Sequence, residues 1–215
     1  MRKIIIAVAL SILLSLFCGC AKKVNYLDYI SEKRSDIYLY SNDGFEIKIY
    51  KSLKETPYAT DGIKSEMSEL TEIFVKLTKN YDEVNISVGN AEGEMSYRAV
   101  ENEYYLSLSD GGISGDSVEV TLTFGGESST YTATSVTYQG LISCEDAVLC
   151  VVEHNADLFK SLTENRIFSG EIYVRLLYDD GCFYYVGVCD RNKKISAFLV
   201  DGEDGKIIAN RQLNG

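Results

Sequence analysis

The single histidine of the chain, His154, has the widest range of possible chemistry. At helical spacing it shares one face with Cys150, one turn away, and with Asp146, Asp157 and Ser161. A cysteine and a histidine so placed could bind a transition metal or act as nucleophile and base. A stable metal site needs three or four ligands with supporting hydrogen bonds, and residues stacked on one helix face rarely line a cleft. We therefore predict an exposed polar face with an incidental cysteine, and no metal, cofactor or catalytic residue.

The acidic segment 201–205, Asp-Gly-Glu-Asp-Gly, has the composition of a calcium loop but not its spacing. Gln212 stands where a bidentate glutamate should close such a loop, so we interpret the segment as a hairpin turn. The sequence also lacks a phosphate-binding glycine loop, a His-Glu-x-x-His motif and a Gly-x-Ser-x-Gly motif. These observations favour a binding protein over an enzyme.

A long connector at 51–69 is the most promising binding segment, because long loops on rigid scaffolds often carry function. It contains the only proline of the chain, Pro57, next to Tyr58. Tyrosine is enriched in recognition surfaces. We predict Pro57, Tyr58 and Asp61 as binding residues.

Four cysteines follow Cys20, at positions 144, 150, 182 and 189. Cys144 and Cys150 would lie about 9 Å apart along a helix, and Cys182 and Cys189 more than about 20 Å apart along a strand. Both separations exceed the roughly 7 Å that a disulfide can span. Any bridge must therefore join the predicted helix to the strand, as Cys144–Cys182 would. The alternative is four buried thiols that pack as small apolar residues.

The chain from residue 36 to 140 alternates repeatedly between apolar and polar residues, which is typical of half-buried strands. The alternating runs lie at 37–40, 45–50, 70–78, 84–88, 94–100, 103–109, 117–124 and 129–138. Glycine-containing turns such as Asn42-Asp43-Gly44 separate them. This spacing predicts an antiparallel, immunoglobulin-like β-sandwich domain over 36–140. The chain has no tryptophan and this region has no cysteine, so the prediction concerns architecture and not family.

The period changes at Ser143, where Ser143-x-x-Asp146 predicts the start of an amphipathic helix of about 20 residues. Four strand-like runs follow, at 171–178, 182–189, 194–200 and 206–211. We predict an α+β domain over 141–215, with the helix packed on a four-stranded antiparallel meander. The closing segment 199–211 resembles the last strands of PepSY-type or cystatin-like modules, and that resemblance implies an inhibitor-like fold.

The first residues decide where the chain resides. Arg2 and Lys3 precede an apolar run over 4–17, which has the length of a signal-peptide core and is shorter than the roughly 20 residues of a membrane-spanning helix. The segment Leu16-Phe17-Cys18-Gly19-Cys20 that follows is similar to the lipobox of bacterial lipoproteins. This resemblance implies removal of a signal peptide, residues 1–19, and lipidation of Cys20. An ordinary cleaved signal and an uncleaved short anchor remain the alternatives.

A second resemblance involves residues 54–62, Lys-Glu-Thr-Pro-Tyr-Ala-Thr-Asp-Gly, which are similar to uncharacterised lipoproteins of Gram-positive anaerobes. No activity comes with that resemblance. Between the lipid anchor and the first strand we predict a lipidated tether over residues 20–35.

The charge balance limits the partners. The chain carries a net charge of −11, and loss of Arg2 and Lys3 would take it to −13, which disfavours nucleic-acid binding. Anionic head groups would also be repelled, so membrane attachment must come from the acyl chains. We predict a cell-membrane lipoprotein on the extracytoplasmic face, acting as a non-catalytic binding or accessory module for an envelope protein or glycan. The alternatives are an envelope enzyme, an inhibitor of an envelope hydrolase, or substrate capture for a transporter, which would require a ligand-sized cleft.

Overall fold

The computed structural model describes residues 23–109 and 111–214. The predicted signal peptide and the predicted lipidation residue, Cys20, lie outside the described residues. Both therefore stay predictions.

The described residues form fifteen strands and two α-helices, which confirms a mainly β chain with a helical part. A 3-10 turn at Tyr26–Tyr29 precedes the strands. The strands of the first part are β1 (Ile30–Ser41), β2 (Phe45–Glu55), β3 (Met67–Leu77), β4 (Val84–Val88), β5 (Ala91–Glu94), β6 (Ser96–Arg98), β7 (Glu103–Leu108), β8 (Ser117–Phe124) and β9 (Glu127–Ser135). The later elements are α1 (Cys144–His154), α2 (Ala156–Ser161), β10 (Thr163–Glu164), β11 (Ile167–Phe168), β12 (Gly170–Tyr178), β13 (Cys182–Asp190), β14 (Lys194–Asp201) and β15 (Ile207–Asn214).

The predicted tether differs from the structure over its second half. Tyr26 and Tyr29 pack against Phe168, and β1 already begins at Ile30. The aromatic and apolar residues of this segment pack in the core that contains Phe168. The alternation of the sequence did not indicate that this core extends to the N-terminal segment.

Strand β1 is common to both parts of the molecule. One of its edges pairs with β2 over residues 32–41. The other edge pairs in parallel with β12 over residues 30–34, and then in antiparallel fashion with β9 at Tyr38 and Leu39. All other pairings described in the large sheet are antiparallel. β12 and β9 therefore share this second edge of β1, and we call the point at which β12 turns away from β1 the fork.

The first part of the chain forms a nearly closed barrel. From β1 the strands continue through β2, β3 and β7 on one side, and through β9, β8, β4 and β5 on the other. β5 lies against β7, which nearly completes the ring. The interior is filled by residues such as Ile47, Ile49, Ile73, Val75 and Val120. The finer prediction of an immunoglobulin-like sandwich is not confirmed, because alternation indicates the face of each residue but not the partner of each strand.

The second part is a helix on a meander. β12 to β15 pair in chain order, and α1 packs on the meander through Val148 and Val151. Ser143 and Asp146 form the predicted capping box. The helix differs from the prediction in ending at His154, because Asn155 has φ −127° and ψ 40°, and a second short helix follows. The division into two domains at residue 140 stays a prediction.

A glycine in the meander allows a tyrosine ring to lie on the sheet. Gly187 pairs with Tyr173, and a Cβ atom at Gly187 would overlap the Tyr173 ring. Because an added methyl group must displace that ring, we expect Gly187→Ala to lower the free energy of unfolding by about 1–3 kcal/mol in urea denaturation. Gly181→Ala is the matched control, since its Cβ would meet Phe183 at an ordinary 3.6 Å. Equal urea midpoints for the two variants would contradict this prediction.

Candidate functional site

A cluster of charged side chains lies where β12, β1 and β2 run side by side. Glu32 pairs with Lys54, and Arg34 pairs with Arg175. Directly paired residues point to the same side of a sheet. Val174, which precedes Arg175, points into the core beneath α1, so the charged residues occupy the opposite face.

Glu32 is the centre of this cluster and is fully buried. Arg175 donates to both of its carboxylate oxygens, from Nε at 2.9 Å and from Nη2 at 2.6 Å. The Tyr58 hydroxyl donates to Oε2 at 2.8 Å, and Lys54 Nζ lies 3.6 Å from Oε1. Burial raises the pKa of Glu32, but Arg175 and Lys54 outweigh it and hold the pKa below its usual value. Glu32 is therefore a buried carboxylate whose charge is fully compensated.

The predicted binding residue Tyr58 lies at the mouth of this cluster. Its hydroxyl also accepts a hydrogen bond from Arg175 Nη2 at 3.1 Å, and 43% of the residue stays exposed. Burial, followed by the charge of Glu32, raises the pKa of Tyr58. The two other predicted residues do not join the cluster. Pro57 is exposed, and Asp61 accepts a hydrogen bond from the backbone N–H of Ile63.

The loop that carries Tyr58, the β2–β3 loop (residues 56–66), is fixed at its base. Glu55 is buried and accepts hydrogen bonds from the Ala59 N–H at 3.1 Å and from the N–H and hydroxyl of Ser65 at 2.9 and 3.0 Å. Lys64 Nζ donates to the Asp28 carbonyl at 2.9 Å. These contacts hold the loop in one conformation against the N-terminal segment.

Glu171 lies beneath the same loop and is fully buried. Neither carboxylate oxygen has a hydrogen bond of good geometry, although the Gly62 N–H and Ser31 hydroxyl are near enough to favour the charged form in part. Burial, followed by the charges of Glu55 and Asp61, raises the pKa of Glu171 to about 7. Its burial on β12 beneath the loop makes Glu171 a destabilising group when ionised.

A cavity of about 460 Å³ occupies the fork between β12 and the β1–β2 pair. Its walls include Ile37, Leu39 and Leu177, and its polar lining includes Arg34. The Arg34 guanidinium lies 3.7 Å above the ring of Tyr50. This volume falls in the range of small-molecule sites. The fork therefore provides a ligand-sized cleft that the sequence did not indicate.

The histidine and cysteine predictions concern the helix and the meander. His154 is exposed, and its Nδ1 lies 2.8 Å from the Cys150 carbonyl oxygen. Over residues 23–109 and 111–214, no three or more His, Cys, Asp or Glu residues are grouped to hold a metal ion.

The four cysteines after Cys20 are free thiols in the structure, which therefore has the alternative of unpaired thiols and not the possible Cys144–Cys182 bridge. The Cys144 thiol donates to the Arg34 carbonyl and the Cys182 thiol to the Val136 carbonyl. Burial raises the pKa of Cys144 to about 12, which makes its thiolate scarce.

Three residues of this region, Glu32, Arg34 and Arg175, were not predicted as functional. Glu32 and Arg34 fall in the predicted tether, and Arg175 falls in a strand-like run. A polar residue in an alternating strand normally indicates the solvated face. The available signal was a high density of charge in segments that were otherwise rich in strand-forming residues.

Comparison of the chain with models of known protein families, with curated proteins and with solved structures finds no match. In the part of the chain that the structure describes, every helix is too short or too polar to cross a membrane. The site is therefore interpreted from its own geometry.

Proposed function

We propose that this protein is a lipid-anchored, extracytoplasmic binding module without catalytic activity, and that the β2–β3 loop is its recognition surface. The observation that carries the proposal is the fixed conformation of this loop, whose tip exposes apolar groups. Ile63 is 60% exposed and Tyr58 is 43% exposed. Large apolar groups on a rigid loop are suited to recognition.

The hydrogen bonds of Glu55 and Tyr58 have an energetic consequence for binding. A flexible loop loses conformational entropy when it binds, which weakens the complex. The β2–β3 loop is already ordered by the buried carboxylates of Glu55 and Glu32. Its exposed residues can therefore contact a partner with little further loss of entropy.

The contact between Lys64 and Asp28 places the β2–β3 loop next to the N-terminal segment that leads to Cys20. Asp28 is eight positions after Cys20, and a chain of this length spans at most about 30 Å. If Cys20 carries the lipid, the loop lies within this distance of the anchoring residue. The proposed partner is an envelope protein or glycan near the membrane surface.

Site-specific photocrosslinking in native membranes tests this proposal. A photoreactive amino acid at Ile63 is expected to give a discrete crosslinked product, because this side chain projects from the loop tip. The same amino acid at Val100, which is 94% exposed in the turn between β6 and β7, is the control and should give no such product.

The anchor is tested in the same experiment with Cys20→Ser. We expect this variant to leave the membrane fraction and to lose the Ile63 crosslink. Identical products from Ile63 and Val100, or none from Ile63, would overturn the recognition surface. Retention of Cys20→Ser in the membrane would overturn the anchor.

A further inference from the structure

Arg34 is a partly buried cation without a matched anion. Its Nε atom is buried and has no hydrogen-bond partner among the described residues. The guanidinium is stacked on Tyr50 and lines the fork cavity. Burial, the largest influence, lowers the pKa of Arg34 below its usual value, because it disfavours the charged form. An arginine nevertheless stays protonated at neutral pH, so its charge calls for a partner.

The nearby carboxylates are already engaged by other cations. Both oxygens of Glu32 accept hydrogen bonds from Arg175, and Lys54 lies 3.0 Å from a carboxylate oxygen of Glu72. The three cations Arg34, Arg175 and Lys54 therefore face two carboxylates. This local excess of one positive charge occurs in a chain whose net charge is −11.

The fork cavity surrounds Arg34 with apolar surface. Ile37 is buried, Leu39 and Leu177 are partly buried, and the ring of Tyr50 contributes an aromatic wall. The charged residues of the rim, Glu46, Lys48 and Asp179, are all exposed. Exposed charges are screened by solvent and salt, whereas a charge held against apolar walls acts more strongly.

We propose that the fork cavity binds a small amphipathic anion, an apolar body that carries one carboxylate, with the carboxylate paired to Arg34. A planar guanidinium matches a carboxylate through two parallel hydrogen bonds. The strongly acidic chain would repel a ligand with several negative charges, so the ligand class is a monoanion. This site is separate from the β2–β3 loop and does not depend on the lipid anchor.

Matched probes can separate the anionic group from the apolar body. We would measure binding of 4-phenylbutyrate, 4-phenylbutanol and 4-phenylbutylammonium to the full-length protein by isothermal titration calorimetry. We expect the carboxylate to bind at least about tenfold more tightly than the alcohol, and the ammonium probe not to bind, because only the carboxylate supplies the partner that Arg34 lacks.

Three variants assign the interaction to the cavity. Arg34→Gln is expected to reduce the preference for carboxylate over alcohol to about twofold or less. Ser41→Trp, which places a large ring at the cavity wall, should weaken both probes by about tenfold or more. Lys48→Gln is the control at the exposed rim and should change the affinity for 4-phenylbutyrate by less than about twofold.

Several results would overturn the proposal. These are equal affinities for the acid and the alcohol, no binding of the acid, or a preference for the acid that persists in Arg34→Gln, whether or not it is lost in Lys48→Gln. Urea denaturation of each variant verifies folding. If Arg34→Gln does not fold, Ser41→Trp and the probe comparison on the unmodified protein still decide the outcome, because an unchanged affinity in Ser41→Trp excludes the cavity.

Discussion

An Arg175→Met variant is expected to lose about 3 kcal/mol of unfolding free energy at pH 7. The variant keeps the aliphatic stem of the side chain but removes the two hydrogen bonds that Arg175 gives to Glu32. Glu32 would then be a fully buried carboxylate with only Tyr58 and the more distant Lys54 beside it. Urea denaturation monitored by circular dichroism measures the difference.

Arg98→Met provides a matched control for the loss of an arginine. Arg98 forms ion pairs with Glu101 and Glu103, but its side chain is 39% exposed. Exposed ion pairs contribute little, so we expect a loss of less than about 1 kcal/mol. The double variant Glu32→Met/Arg175→Met should recover part of the stability lost in Arg175→Met, because no buried charge then remains. Equal losses in Arg98→Met and Arg175→Met would contradict the buried-pair account.

The pH dependence of the same variant gives an independent check. The pKa of Glu32 is lower in the folded protein than in the unfolded chain. Ionised Glu32 therefore contributes stability above its unfolded pKa of about 4.3, and this contribution is lost as the pH falls through its folded pKa. Without Arg175 the pKa of the buried Glu32 is raised, so we expect the stability difference between the unmodified protein and Arg175→Met to decrease as the pH falls from 7 to 3. A constant difference from pH 7 to pH 3 would assign the loss to packing.

The inward faces of the barrel strands could be predicted from the sequence. Ile47 and Ile49 alternate with polar residues in one run, and Ile73 and Val75 alternate in another, and all four are buried. Alternation reports which residues avoid water, and this property is local. The start of α1 could also be predicted, because the capping box that signals it is contained within four consecutive residues.

The sharing of β1 between the barrel and the meander could not be predicted. Which strand pairs with β1 depends on contacts between residues far apart in the chain, such as Ile30 with Ile172 and Tyr38 with Ser135. The apolar–polar alternation of a strand does not depend on which strand pairs with it, so alternation does not distinguish a sandwich from a nearly closed barrel. The break at Asn155 was missed for a related reason, because the apolar period continues across it to Phe159.

The candidate site was only partly predictable. The length of the β2–β3 connector indicated Tyr58 as a functional residue, but not Glu32 or Arg175, which are 143 residues apart in the sequence. A buried ion pair requires both partners at once, and neither residue reveals the other. Arg34 could not be predicted for the same reason, because the cavity beside it forms only where β12 separates from the β1–β2 pair.

The pair of Glu32 and Arg175 in the charged cluster has a structural role, and each of the two proposed sites lies beside it. Glu32 and Arg175 satisfy each other, so this pair needs no ligand to complete it. On one side it fixes Tyr58, and through Tyr58 the β2–β3 loop. On the other side it occupies one of the two carboxylates nearest in sequence to Arg34, and the other, Asp36, accepts hydrogen bonds from the Ile37 N–H and the Ser135 hydroxyl. Among the described residues, Arg34 Nε is therefore buried without a hydrogen-bond partner. One buried pair thus supports the loop that we propose for recognition and leaves Arg34 available for the proposed anion.

Glu171 presents the opposite case, a buried carboxylate that forms no ion pair with a cation in the described part of the chain. Its pKa is raised to about 7 in the folded protein, whereas an unfolded glutamate has a pKa of about 4.3. As the pH rises from about 4.3 to 7, the unfolded chain releases this proton and the folded protein retains it. The contribution of Glu171 to the free energy of unfolding must therefore fall across this window and stay constant above it. The expected fall is about 3–4 kcal/mol.

A Glu171→Gln variant has no proton to release and is expected to escape this loss. We take the unfolding free energy of Glu171→Gln minus that of the unmodified protein at each pH. This difference is expected to be about 2–3 kcal/mol larger at pH 8 than at pH 5. Urea denaturation at both pH values measures the two differences. Glu69→Gln, an exposed substitution on β3, should show the same difference at both pH values. A difference for Glu171→Gln that is the same at both pH values, as for Glu69→Gln, would contradict this prediction. The carboxylate of Glu171 would then be stabilised in its ionised form in the folded protein.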